Sequence, residues 1–163
     1  MKTTTQTAAT HDRKVVLSTL WIFAMFNYLY ADVYTLFFNP VLQPEAWKQF
    51  LAGDAGGTPL TEGFVVITAV LMETAIAMVL LSRVLSYGPN RWANIVSGLF
   101  HTLFVAWSLT GQAPTTFYAF FAAIEIACTL FVVWYAWTWR GAAAGASDPA
   151  LVQAEPAISA GSR

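Results

Sequence analysis

Residues 115–139 read TTFYAFFAAIEIACTLFVVWYAWTW, 25 positions with one ionisable group, Glu125, near their middle. At 1.5 Å per residue a helix of this length crosses about 30 Å of hydrocarbon. Three further stretches share the pattern, at about 14–38, 63–85 and 92–110. Each also carries an ionisable side chain well inside its apolar run: Asp32, Glu73 and His101. Such groups cost several kcal/mol in lipid unless paired or wetted, so they are the first functional candidates.

Composition fits the same solvent. Of 163 residues, 57% are hydrophobic and 10% charged, against about 25% charged in a soluble domain. The fold expected is all-α: a polytopic membrane protein built as an antiparallel four-helix transmembrane bundle, since connections as short as 86–91 and 111–114 oblige neighbouring helices to run antiparallel. The first dozen or so residues (1–13) and residues 141–163, rich in Ala, Gly and Ser, read as disordered tails. The apolar run of the first span is too long, and lacks the small-residue cleavage site, for a removed signal peptide.

Four spans put both termini on one side. Lys2, Arg13, Lys14, Arg83, Arg91, Arg140 and Arg163 gather there and Lys48 alone lies opposite. By the positive-inside rule both termini then face the cytoplasm. Trp92, Trp134, Tyr135, Trp137 and Trp139 fit an interfacial aromatic belt at that side. Within the one long connection, 39–62, the run from Pro44 to Leu51 begins with Pro and spaces its apolar residues three to four apart, the mark of a short surface helix. Thr58 or Thr61 is placed to cap the second span, and Asn90 the third.

A net charge of -1 with scattered cations leaves no field for nucleic acid. The single cysteine, Cys128, allows no intrachain disulfide. No Gly-rich phosphate loop, zinc-type Cys/His spacing or nucleophile elbow is present, and no internal repeat suggests inverted halves.

Counting from the outer end of each span sets Glu73 and Glu125 about ten residues deep and His101 and Asn27 about eleven, roughly 15 Å in all cases. Asp32 lies about 9 Å deep. Helical spacing groups Asn94, Ser97, His101 and Ser108; Ala69, Glu73 and Ala77; Ala122, Glu125, Cys128 and Thr129; and, on the first span, a broad face including Asn27, Tyr28 and Asp32. Small and polar stripes mark helix contacts in lipid, so all four are expected to point inward. The candidates for binding a ligand or ion are therefore Asp32, Glu73, His101, Glu125, Asn27, Tyr28 and Asn94.

Several chemistries suit such a layer. The carboxyls and histidine fix helix register by hydrogen bonding, in a structural or accessory subunit of a membrane complex, or bind or pass a proton, cation or small polar solute. Alternatively they perform acid–base chemistry on a lipid-soluble substrate, or Glu73, His101 and Glu125 hold a metal. Passage would require association into a homo-oligomer, because four helices leave little room for a conduit. No cofactor is indicated.

The segments Tyr28-Leu29-Tyr30-Ala31-Asp32, Leu71-Met72-Glu73-Thr74-Ala75, Asn90-Arg91-Trp92-Ala93-Asn94-Ile95 and Ile124-Glu125-Ile126-Ala127-Cys128 resemble an uncharacterised family of small bacterial four-helix membrane proteins, a domain of unknown function. In layout the chain more distantly resembles DoxX-like proteins. The resemblance implies a four-helix fold, a multi-pass place in a bacterial inner membrane, and no activity.

Overall fold

The structure, a computed structural model, describes residues 2–110 and 113–139, with side chains from residue 12 onward. All its elements are helices: α1 Lys2–Leu42, α2 Pro44–Leu51, α3 Glu62–Val84, α4 Tyr87–Ser108 and α5 Thr116–Trp137. Three stretches, Asp12–Leu42, Glu62–Val84 and Thr116–Trp137, are long and apolar enough to cross a membrane. The fourth long helix, α4, is as long but more polar, with Asn90, Arg91, Asn94, Ser97, His101 and Thr102 along it.

The helix ends differ in detail from the sequence reading. Helix α1 is already formed at Lys2, where a disordered tail was expected, and runs through Pro40 to Leu42. Pro40 has no N–H to give the carbonyl of Leu36, and the helix ends two residues later, at Leu42. Helix α4 begins at Tyr87, five residues before the expected start, with Pro89 inside its first turn, the position where proline is compatible with a helix. Asn90 is therefore not the N-cap of α4. Its amide instead donates to Ser82 O (2.7 Å) and Leu85 O (3.4 Å), satisfying the carbonyls at the end of α3. Thr61 caps α3 by accepting from Phe64 N at 3.2 Å, and Thr115 caps α5 by accepting from Tyr118 N at 3.4 Å. The tail expected at 141–163 lies outside the described residues.

Helix α1 packs against α3 and α5, and α4 packs against α5 and α3, so the four long helices form a ring. Across its diagonal α1 and α4 run parallel: Trp21 bonds to Asn94 and Tyr28 to His101, pairs with the same sequence offset. Helices α4 and α5 approach closely at Gly98, where an added Cβ would stand 2.7 Å from Val133 Cγ2 and 3.1 Å from Thr129 O.

Most of the outer surface is apolar, with Phe26, Leu36, Phe37, Val70, Leu103 and Phe120 all more than half exposed. At one end of the ring, cations from α1 and α4 meet the C-terminal carbonyls of α3 and α5. Arg13 donates to Tyr135 O (3.1 Å), Lys14 to Arg83 O (3.4 Å) and Arg91 to Trp137 O (3.1 Å). At the other end α2 and a turn with left-handed Gly53, Gly56 and Gly57 bridge α1 to α3. The turn is held by Asp54 Oδ1, which accepts from Gly57 N, and by the Ala55–Thr58 backbone pair.

Candidate functional site

Polar groups inside the ring separate into two clusters with opposite character. The first, nearer the cationic end, comprises Trp21, Ser82, Asn90 and Asn94, every one with no exposed surface. Asn94 Oδ1 accepts from Trp21 Nε1 (2.8 Å) and Ser82 Oγ (3.2 Å), while its amide donates to Asn90 Oδ1 (2.7 Å) and Asn90 O (2.9 Å). Donors and acceptors are matched, so this cluster ties α1, α3 and α4 together and offers nothing to a ligand. Asn94, a candidate from the sequence, belongs to it.

The second cluster lies toward the α2 end and is incomplete. His101, with no exposed surface, bonds Tyr28 OH through Nδ1 at 3.1 Å and packs its ring against Trp21, centroids 5.2 Å apart. Its Nε2 has no partner among the described residues. Glu125 is 5% exposed, and its Oε1 is likewise unpartnered. A buried polar atom without a partner costs about 1–3 kcal/mol, which makes this place unlike an ordinary core.

Glu125 borders a cavity of about 80 Å³, lined also by Asp32, Tyr28, Ser108 and Tyr118 and by apolar residues such as Val105. That is room for a few waters or one small cation. Tyr28 joins the two parts of the cluster, since the residue whose hydroxyl meets His101 also lines the cavity. Toward α2 the cavity adjoins a larger vestibule of about 270 Å³. Ser108 and Tyr118 line both spaces and bond to each other at 2.9 Å, forming the partition. In the vestibule Thr35 Oγ1 and Asn39 Oδ1 are buried without partners among the described residues.

Two expected members of the polar layer are absent. Glu73 is exposed on the outer side of α3, whose buried positions are Leu71, Ala75, Met78 and Ser82. Two residues from Leu71 and two from Ala75, Glu73 stands about 200° round the helix from each. Its companion Ala69 is exposed as well, so that small-residue stripe does not face the ring. Asn27 is half-buried and bonds its own helix, donating to Phe23 O at 2.9 Å. The four candidates placed at one height thus reduce to His101 and Glu125.

The trio Glu73, His101 and Glu125 is not brought together, and no group of three His, Cys, Asp or Glu side chains among the described residues is arranged to hold a metal. Cys128 is buried in the apolar core with its thiol toward Leu20 O at 3.5 Å. Sequence reasoning missed Tyr118, although it extends the Ala122, Glu125, Thr129 stripe by one further turn. It also missed Trp21 and Ser82, whose roles depend on the register between helices.

A family described only as being of unknown function (DUF6326) matches residues 7–145. No curated protein and no solved structure matches the chain.

Proposed function

We propose, for a chain that belongs to this family of unknown function, the role of a multi-pass membrane protein that binds a proton or small cation in the cavity between Asp32 and Glu125. The observation carrying this reading is the unpartnered Oε1 of a 5% exposed Glu125 on the wall of a cavity of about 80 Å³. A second carboxyl, Asp32, borders the same space. Two carboxyl residues on the wall of one cavity favour a positive charge between them, and Tyr28, Ser108 and Tyr118 on the same wall carry neutral oxygens of the kind hard cations accept. Solute reaches the cavity from the α2 end, through the vestibule and past the Ser108–Tyr118 contact.

In this reading all four long helices cross the bilayer. Helix α4 tolerates its polar residues because Asn90, Asn94 and His101 are turned into the ring, and in lipid such residues face the bundle interior. The cationic end, with Arg13, Lys14, Arg83 and Arg91, lies in the cytoplasm of an inner-membrane protein by the positive-inside rule. The vestibule then opens outward.

Calorimetry on protein in lipid nanodiscs, with methylammonium as the probe, tests the site. Glu125→Gln should weaken binding at least tenfold, whereas Glu73→Gln, on the outer face, should not alter it. Equal binding by wild type and Glu125→Gln would overturn the proposal.

A further inference from the structure

Besides the vestibule, the acidic cavity has a second neighbour. Between α1 and α3, on the outer side of the ring, lies a groove of about 530 Å³ whose walls include Ile22, Met25, Leu29, Met72, Ile76 and Leu80. From Met72 to Leu80 it follows α3 for about 12 Å. Its polar features are Tyr28 and Asp32, and these two residues, with Met72, line the acidic cavity too. An apolar trough open to the acyl-chain side therefore ends on the wall of a space that holds a buried, unpartnered carboxyl oxygen.

A pocket with long apolar walls and a few polar groups at one end fits an amphipathic molecule and fixes its orientation. Here the polar end is Asp32 and Tyr28, with Glu125 beyond them in the cavity, and the two carboxyl groups select the head by charge. An anionic head is repelled, and a carbonyl-bearing head brings acceptors to a wall already rich in oxygen acceptors. An ammonium head brings positive charge and up to three donors.

We infer that the site takes a single-chain amphipathic amine from the bilayer, its ammonium head passing Asp32 and Tyr28 to reach Glu125 while its chain lies in the α1–α3 groove. Lateral entry explains how an 80 Å³ cavity serves a ligand far larger than itself: the cavity receives the head alone. This inference rests on the cation-binding reading above and names the class of ligand for that site.

The test uses the full chain in nanodiscs, with methylammonium, octylammonium and octanol as probes and protein-free nanodiscs subtracted for partition into lipid. Both ammonium compounds should bind, both should lose at least tenfold in Glu125→Gln, and octanol should bind at least tenfold more weakly than octylammonium. Filling the groove by Ile76→Trp should lower the ratio of octylammonium to methylammonium affinity at least tenfold. Ile22→Trp fills it from the α1 side and decides the matter if the first variant folds poorly. An unchanged ratio in the folded groove variants overturns lateral entry and leaves the cavity reading standing. Octanol binding as tightly as octylammonium overturns it as well, reducing the groove to a slot for acyl chains. Binding of both amines that ignores Glu125→Gln sinks the cavity reading itself.

Discussion

Glu73 and Glu125 show how little residue type says about role at the scale of a single side chain. Both are carboxyls about ten residues inside an apolar helix, yet one is exposed and the other is 5% exposed beside a cavity. What differs is phase. Glu73→Leu should therefore leave the melting temperature of detergent-purified protein unchanged or raised, since it removes an ionisable group from a surface otherwise suited to lipid; a marked fall would mean that the carboxyl has a partner on that face. Asn94 is the opposite case, with four bonds inside the ring. Asn94→Ala strands Trp21 Nε1 and the Asn90 side-chain oxygen, at about 1–3 kcal/mol for each buried group left unpaired. Thermal unfolding should register that loss, and an unaltered melting curve would show that the network adds nothing to stability.

Helices are held by their ends and by one tight crossing at the next scale. Arg13 and Arg91 reach the last carbonyls of α5, and each also lies over an aromatic ring there, Tyr135 at 4.8 Å and Trp137 at 5.5 Å. Cations that read as topology signals in the sequence thus double as C-terminal caps, favoured by the helix dipole. Arg13→Ala should cost roughly 0.3–1 kcal/mol, visible as faster amide exchange at the C-terminal turn of α5; unchanged exchange would remove the cap. Gly98 sets the separation of α4 and α5. Gly98→Leu drives a side chain into Val133 and the Thr129 backbone, and overpacking of this kind costs about 1–3 kcal/mol. Helix α4 should detach more readily, which limited proteolysis between α3 and α5 would report; protection equal to wild type would contradict so close an approach.

For the whole molecule the two polar clusters differ, one fastening the ring and one holding unpartnered buried atoms beside a cavity. In the proposed reading, access to that cavity depends on the partition where Ser108 meets Tyr118. Tyr118→Phe removes that bond and should speed methylammonium association several-fold in stopped-flow measurements, an unchanged rate placing the barrier elsewhere. The residues themselves determined an all-helical chain of four long, largely apolar runs and the short helix opening at Pro44. The reading of α5 came closest, because the whole expected stripe of Ala122, Glu125, Cys128 and Thr129 is buried, while on α4 Asn94, Ser97 and His101 are buried and Ser108 is half-buried. Helices α1 and α3 are apolar on nearly every side, so nothing in their composition shows which way Glu73, Asn27 or Asp32 points. In water a polar face announces the outside of a helix; where both lipid and core are apolar, rotation about the axis is settled by packing against neighbours. Only the tertiary structure could turn Glu125 inward and Glu73 outward, and bring Tyr118 and Ser108 to the same cavity.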